Sequence, residues 1–246
     1  MYKQLRDHIL WEDEQLLVVN KPAGLLSAPD RFDPYIPHLR QVLSPKYGEL
    51  WTVHRLDRDT SGVIVLARTA AAHRALSMQF TAHQTQKVYR TIVEGQLRNS
   101  SGTIAYGLAE DARKPGKMVV SNKGQEAVTH YRVLTQFEHF AELEVVIETG
   151  RTHQIRVHLQ AIGHPILADA TYGLRDSFLL STIKGRRKFH TAKHEEERPL
   201  LRRMALHAER LTIAHPTKDE NLEFVAPLPK DLRAVLYQLN KLDRRG

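Results

Sequence analysis

Short apolar runs of strand length recur along the chain, and they constrain its fold more than any other feature. "QLLVVN" (15–20), "GVIVLAR" (62–68) and "KVYRTIVEG" (87–95) are rich in β-branched residues. "AVTHYRVL" (127–134) and "AELEVVIET" (141–149) alternate in polarity, and only six residues separate them. Such runs predict strands, and the short separation of the last two predicts an antiparallel pair.

Two late strands and a few helices complete the pattern. "MALHAERLTIAHP" and "LEFVAP" are typical of strands joined by a turn. Thr69 is a candidate cap for a helix that follows the 62–68 strand. In "TGRTHQIRVHLQAIGHP" the apolar residues change to a helical period, which predicts a helix from about Thr152 to Ile162. "HLRQVLSPKYG" and "LPKDLRAVLYQLNKL" predict a short helix and a closing amphipathic one.

Strands outnumber helices in this prediction, and neighbouring strands often pair directly. We therefore expect an α+β protein with a mixed, mainly antiparallel sheet flanked by helices and loops. No internal repeat or linker interrupts the pattern, so we expect one domain over residues 1–246.

The charge balance and the absence of cysteine limit the possible functions. Lys and Arg outnumber Asp and Glu by 36 to 28, and a net charge of +8 favours a polyanionic partner. Without cysteine, the chain can form no disulfide, thiolate nucleophile or cysteine-based zinc site. The N-terminal sequence fits no targeting peptide, and no run is long enough to span a membrane. We therefore expect a cytoplasmic protein.

One segment departs from the overall pattern. Residues 175–203 form a basic insertion, in which Lys184, Arg186, Arg187 and Lys188 precede an acidic triplet and further arginines. Two interpretations remain open for it: a solvated, mobile loop, or an arm that follows the phosphates of a nucleic acid.

Asp57 is the candidate reactive residue, in "HRLDRDTSG" (54–62). It lies just before the turn that starts the 62–68 strand, so its carboxylate would be held at a loop against rigid sheet structure. By itself, an aspartate among arginines is more often a weak surface ion pair. The surrounding motifs decide between the two interpretations.

Those motifs resemble the RluA family of pseudouridine synthases. "VHRLDRDTSGVIVLA" (53–67) is similar to the family's sequence around its catalytic aspartate. "VVNKPAGLLSAP" (18–29), "QKVYRTIVEG" (86–95), "TGRTHQIRVHLQAIGHPILAD" (149–169) and "LHAERLTIAHP" (206–216) match further segments in the family's order. The resemblance spans residues 16–227 and implies the pseudouridine synthase fold.

The resemblance implies that the chain converts uridine in RNA to pseudouridine, with Asp57 as the catalytic aspartate. Asp57 would act as a nucleophile or as the base that starts glycal formation, and the sequence leaves both routes open. Arg156 would be its salt-bridge partner and keep it ionised. Tyr89 would stack on the extruded uracil and take part in proton transfer at C5.

The resemblance also implies how RNA is held. Arg55 matches the arginine that helps to extrude the target nucleotide. His54 and His153 are expected as hydrogen-bonding supports, with His153 near phosphate. The complete set of expected RNA-binding residues is Arg55, His54, Lys87, Arg151, His153, Lys184, Arg186, Arg187 and Lys188.

We expect no cofactor and no metal. The sequence has no phosphate-cradling glycine loop, and His153 and His158 are five residues apart, which does not suit a zinc pair on one helix face. Two alternatives remain: a catalytically idle RNA-binding protein of the same fold, and a metal-dependent nuclease, for which clustered carboxylates are missing. We expect the idle protein to lose part of the trio Asp57, Tyr89 and Arg156, which is complete here.

Only about fifteen residues precede the first predicted strand. We therefore expect no separate RNA-binding domain ahead of the catalytic one, and recognition by the catalytic domain itself. The expected partner is a stem-loop of ribosomal RNA or tRNA, bound by a monomer.

Overall fold

The computed structural model describes residues 5–30, 33–184 and 197–243. A 3₁₀ turn, Leu5–His8, comes first. The strands are β1 (Ile9–Glu12), β2 (Leu16–Lys21), β3 (Trp51–Thr52), β4 (Ser61–Ala67), β5 (Gln86–Glu94), β6 (Ser101–Ile104), β7 (Leu108–Glu110), β8 (Met118–Val120), β9 (Thr129–Gln136), β10 (Phe140–Ile147), β11 (Leu206–Ala214) and β12 (Asn221–Val225). The helices are α1 (Leu39–Tyr47), α2 (Ala70–Thr81), α3 (Gln154–Ala161), α4 (Leu180–Lys184) and α5 (Lys230–Leu242).

The chain forms two compact units, each built from separate stretches of sequence. The first contains the residues up to Tyr89 and His207–Pro227, and the second contains Arg90–Leu206 and the residues from Leu228 onward. β5 begins in the first unit and ends in the second.

The first unit is built on strands in the order β1-β2-β4-β11, with β12 paired to β11 and β3 to β4. All of these pairs are antiparallel except β4 with β11, which is parallel. Every residue of β4 is buried, as a strand covered on both faces requires. Side chains of β2 and β4 pack with Leu76 of α2 and Phe224 of β12 in one apolar core.

In the second unit, β9 pairs antiparallel with β10 on one side and β6 on the other. β7 and β8 form a separate two-stranded hairpin. A small apolar cluster of this unit contains Leu108 of β7, Val157 of α3 and Tyr172, which lies beyond the end of α3.

The predicted α+β class with a mixed, mainly antiparallel sheet is confirmed. The β9–β10 pair and the Thr69 cap are confirmed as well, since Thr69 Oγ1 accepts a hydrogen bond from the Ala72 N–H. The predicted helix at 152–162 begins at Gln154 because His153 has a left-handed backbone, with φ of 54°. Within the described residues, no helix has the length and apolar character needed to cross a membrane.

Candidate active site

Asp57 lies half-buried between β3 and β4, directly before the turn that leads into β4. The Thr60 N–H donates to the Asp57 carbonyl (3.1 Å) and closes that turn. Gly62 follows within the strand, with φ of +119°, and a Cβ there would lie 2.1 Å from the Ala208 carbonyl oxygen of β11. Only glycine fits at this position, which gives the "TSG" of the motif a structural reason.

The loop after β2 holds the main chain on the C-terminal side of Asp57. The Lys21 side chain is fully buried, and its Nζ donates to the carbonyl oxygens of Leu25 (2.8 Å), Pro22 (3.1 Å) and Arg58 (3.1 Å). The Gly24 N–H also donates to the Arg58 carbonyl, at 2.8 Å. An ammonium has three donors, so this arrangement satisfies a buried charge with main-chain dipoles.

The same loop holds the main chain on the N-terminal side of Asp57. The buried Ser27 hydroxyl donates to the Leu56 carbonyl (2.9 Å) and accepts from the Leu56 N–H (3.0 Å). Both neighbours of Asp57 are therefore fixed through their backbone, by bonds that do not involve the Asp57 carboxylate.

His54 supports this loop from the opposite end of the motif. Its Nε2 accepts a hydrogen bond from the Val65 N–H of β4 (3.0 Å), and its ring stacks on Phe80 of α2 at 4.5 Å. Burial, followed by the charge of Lys87, lowers the pKa of His54 to about 3. His54 is therefore neutral at physiological pH, which suits the expected supporting role.

Lys87 and Tyr89 are two residues apart on β5, so their side chains project from the same face of the strand. Both are buried. Burial raises the pKa of the Tyr89 phenol well above its usual value, and the nearby Asp57 carboxylate raises it further. Burial lowers the pKa of Lys87. The structure thus brings Tyr89 into the electrostatic range of Asp57, and Tyr89 is a protonated phenol there.

The second unit holds Arg156 in a different manner. Arg156 lies in the first turn of α3 and is buried. Its Nε donates to Asp169 Oδ2 (2.7 Å) and its Nη2 to Asp169 Oδ1 (2.9 Å). The guanidinium carbon lies 4.8 Å from the centre of the Tyr172 ring, a cation–π distance.

Asp169 and Tyr172 complete this group, which we call the Arg156 cluster: His153, Arg156, Asp169 and Tyr172. Burial alone would raise the pKa of Asp169, but the hydrogen bonds and charge of Arg156 outweigh it and lower the pKa. The Tyr172 hydroxyl accepts from the Met118 N–H of β8 (2.8 Å) and is bonded to His153 Nδ1 (2.9 Å). His153 is therefore in contact with Tyr172, and its expected function near RNA stays a prediction.

The remaining predicted RNA-binding residues lie nearer the surface or outside the described residues. Arg55 is exposed, and Arg151 is half-buried, with its Nε donating to the Glu126 carbonyl (3.0 Å). Lys184 is exposed at the end of α4. Arg186, Arg187 and Lys188 lie outside the residues that the structure describes.

Among residues 5–30, 33–184 and 197–243, one group has the composition of a metal site. Ligand atoms of Glu138, His139 and Asp243 lie within 4.8 Å of one another. However, Asp243 Oδ1 is bonded to His139 Nδ1 (2.7 Å), and Asp243 Oδ2 accepts from the His139 N–H (2.9 Å). The carboxylate is thus satisfied by protein groups. His153 and His158 have separate protein partners, since His158 is bonded to Thr129 Oγ1 and the Tyr106 carbonyl.

Sequence reasoning did not single out four residues of these two sites: Lys21, Ser27, Asp169 and Tyr172. Lys21, Ser27 and Asp169 lie within segments that carry the family resemblance, and this was the available signal. Periodicity gives none, because each of the three acts through a hydrogen bond to a distant part of the chain.

The comparisons with known proteins agree on one family. The sequence model of the family described as RNA pseudouridylate synthase matches residues 15–161, which is more than half of the chain. The chain belongs to this family.

Relatives extend the match to nearly the whole chain. A Bacillus subtilis protein named uncharacterized RNA pseudouridine synthase YhcT is 38% identical over 233 residues, covering 92% of this chain and 70% of the relative. Ribosomal large subunit pseudouridine synthase D of Xylella fastidiosa is 39% identical over 244 residues, covering 95% and 69%. The solved structure of human RNA Pseudouridylate Synthase Domain Containing 4 has a TM-score of 0.74 at 28% identity, covering 97% of this chain and 95% of the human one.

As a pseudouridine synthase of this family, the chain is an isomerase that acts on RNA, which confirms the activity and partner class expected from the motifs. The reaction breaks the bond from uracil N1 to the ribose and forms one from C5. It therefore needs a group at the sugar and an acceptor for the C5 proton, and the region around Asp57 and Tyr89 contains candidates for both.

Proposed function

We propose that this pseudouridine synthase isomerises uridines in structured large-subunit ribosomal RNA, tRNA or both, with Asp57 as its catalytic carboxylate. The observation that carries the proposal is the anchoring of Asp57. Its two neighbours are fixed by Lys21 and Ser27, and a buried tyrosine lies close enough to interact with its charge. A reactive group held this rigidly loses little entropy on reaching the geometry of attack.

Asp57 acts at the ribose in one of two ways. As a nucleophile it attacks C1′ while the bond to N1 breaks, and as a base it removes the C2′ proton to give a glycal. In both routes uracil leaves, turns and bonds to C1′ through C5. The Asp57–C1′ bond breaks as this bond forms in the first route, and Asp57 returns the proton to C2′ in the second. The C5 proton is then lost and N1 gains a proton, so the reaction is balanced without any external group.

Tyr89 acts in its protonated form, because burial and the Asp57 charge both raise its pKa. A neutral phenol is a poor base by itself. We therefore infer that the Tyr89 ring stacks on the extruded uracil, and that its hydroxyl relays the C5 proton to an acceptor such as the Asp57 carboxylate.

Arg156 is the proposed ion-pair partner that keeps Asp57 ionised once RNA excludes water. The family resemblance supports this assignment. A guanidinium has five N–H donors, and Asp169 takes two of them, so one arginine can serve two carboxylates.

RNA binding is assigned to the remaining predicted residues. Arg55 is exposed two residues before Asp57 and would occupy the space of the extruded nucleotide. Arg151, His153, Lys184 and the basic run Arg186, Arg187 and Lys188 would contact the RNA, whereas the buried Lys87 would reach only a nucleotide that enters the site. The ribosomal target is supported by relatives named ribosomal large subunit pseudouridine synthase D. A monomer in the cytoplasm remains our expectation.

Asp57→Asn tests the catalytic assignment directly. We expect it to abolish tritium release from RNA that contains [5-³H]uridine, while RNA affinity stays within a few-fold. Tyr89→Phe serves as the matched comparison, since it keeps the ring and loses only the hydroxyl. If the Asp57→Asn enzyme forms pseudouridine at the normal rate, the assignment is wrong.

A second experiment tests the basic segment. Neutralising Lys184, Arg186, Arg187 and Lys188 together should weaken RNA binding and reduce the slope of log affinity against log salt, by about 0.7 to 0.9 for each phosphate that the protein no longer neutralises. An unchanged slope would contradict binding of this segment to the RNA backbone. Mapping pseudouridines in cells with and without the gene would then identify the target RNA.

A further inference from the structure

The Asp169 side chain is completely buried, and it forms an ion pair with Arg156. Each of its two oxygens accepts a hydrogen bond from a different N–H group of Arg156, at 2.7 and 2.9 Å. Such a two-point bond to a planar guanidinium fixes the direction of the plane as well as its location. A single charge contact would leave the plane able to rotate.

The Tyr172 ring limits the remaining motion of Arg156. The guanidinium carbon lies over the ring at 4.8 Å, so tilting out of plane meets the ring. Tyr172 is itself held at its hydroxyl by His153 and by the Met118 N–H.

Asp169 is held as firmly as the arginine. Its Oδ1 also accepts from the N–H groups of Thr171 (2.9 Å) and Tyr172 (3.1 Å), and the Gly173 N–H donates to its carbonyl (2.7 Å). The residue before it, Ala168, has a φ of 59°, a left-handed backbone that residues other than glycine seldom adopt. Local strain is therefore accepted where the chain aims this carboxylate at Arg156.

We propose that Asp169 is a positioning residue of the synthase: it holds Arg156 in the single orientation that its function at the reacting carboxylate requires. This inference rests on the proposed function of Asp57 and Arg156. Asp169 touches neither RNA nor the reacting atoms in this proposal, and it acts through Arg156 alone.

A double-mutant cycle tests this inference. Asp169→Asn replaces one accepting oxygen with an amide of nearly the same shape, and Arg156→Lys keeps the charge but removes the planar fork. We expect each variant to slow single-turnover pseudouridine formation by about 100-fold, the cost of a misplaced group, with RNA affinity within about threefold. Because Asp169 acts through Arg156, the rate of the double variant should lie within about threefold of the rate of the slower single variant.

A spectroscopic measurement reports the geometry without relying on activity. The Nε–H correlation of Arg156, assigned by its absence from Arg156→Lys, should exchange slowly in the wild type and be lost or shifted in Asp169→Asn. Glu142→Gln is the matched control: Glu142 pairs with Arg90 at 2.6 Å in the same unit, and its loss should leave the Arg156 signal in place. If Asp169→Asn does not fold, Asp169→Glu replaces it, since the added methylene displaces the carboxylate.

The outcomes distinguish the inference about Asp169 from the proposed function of Asp57, on which it rests. Additive effects of Asp169→Asn and Arg156→Lys, or a normal rate in Asp169→Asn, would overturn the positioning function. Asp57→Asn is measured alongside them. If Asp57→Asn is inactive while Asp169→Asn is normal, only the inference about Asp169 is wrong, whereas a fully active Asp57→Asn contradicts the proposed function itself.

Discussion

The residues around Asp57 and those of the Arg156 cluster hold their charged groups in different ways. Around Asp57, Lys21 and Ser27 bind the backbone of its neighbours Arg58 and Leu56, and none of these bonds uses the carboxylate. In the Arg156 cluster two charged groups are bonded to each other, since the Arg156 guanidinium donates two hydrogen bonds to the Asp169 carboxylate.

This difference follows from what each group has to do in the proposed reaction. Main-chain bonds from Lys21 and Ser27 position the Asp57 carboxylate through its neighbours, in addition to the ion pair with Arg156 that we propose. A guanidinium has five donors in one plane and can give two to a fixed partner. Main-chain bonds thus position the reactive group, and an ion pair positions its proposed partner.

The largest effect is expected where the main-chain anchoring depends on a single side chain. Lys21→Met removes the donor of three carbonyl oxygens while keeping a similar length. We expect the free energy of unfolding in urea to fall by about 3 kcal/mol, because buried acceptors lose their partner.

Lys218→Met is the matched control for this substitution. The Lys218 side chain is 59% exposed and pairs with Glu220 at the surface, so its loss should change the unfolding free energy by less than about 0.5 kcal/mol. Equal changes in the two variants would show that the buried ammonium does not hold the Asp57 loop.

A smaller effect is expected from Ser27→Ala, which removes the two bonds to Leu56 but leaves those of Lys21. The loss should be about 1–2 kcal/mol in unfolding free energy and about tenfold in the single-turnover rate, with RNA affinity unchanged. Ser121→Ala removes only an exposed bond to the Lys123 N–H and should change neither quantity appreciably. A drop in RNA affinity equal to the drop in rate would contradict a purely positional function for Ser27.

Elements with a strong pattern could be predicted from the sequence. The continuous apolar run at 62–68 indicated β4, and the alternating runs indicated the β9–β10 pair, because burial on one or both faces determines which residues a strand can contain. Asp57 and Tyr89 were found through motifs, and the structure brings them into electrostatic range.

Other features leave no periodic signal. The strands of the β7–β8 hairpin are three residues each, too short to show alternation. Ser27 and Leu56 are 29 residues apart, and Arg156 and Asp169 are 13 apart, so only the fold makes them partners. α3 starts later than predicted because the left-handed backbone of His153 cannot be inferred from residue type.

The smallest effect concerns His139 of the second unit, and it sharpens the comparison because the sign of its pH dependence is opposite to that of His54 in the first unit. In the second unit, the hydrogen bond to Asp243 raises the pKa of the exposed His139 above 6.5, with smaller contributions from the charges of Asp243 and Glu138. The stabilisation that protonated His139 gives the folded chain is therefore complete below about pH 6.5, and it is lost as the pH rises through the elevated pKa. In the first unit, burial lowers the pKa of His54 to about 3, so its contribution is complete above about pH 6.5 and falls in acid.

His139→Gln isolates the second-unit effect. The thermal midpoint of the wild type should exceed that of the variant by no more than about 2 °C at about pH 5.5, and the difference should shrink steadily toward about pH 8.5. Asp243→Asn should remove the same pH dependence, since it deletes the other partner of the pair. A difference that grows with pH would mean that the ion pair between His139 and Asp243 at the end of α5 does not stabilise the folded chain.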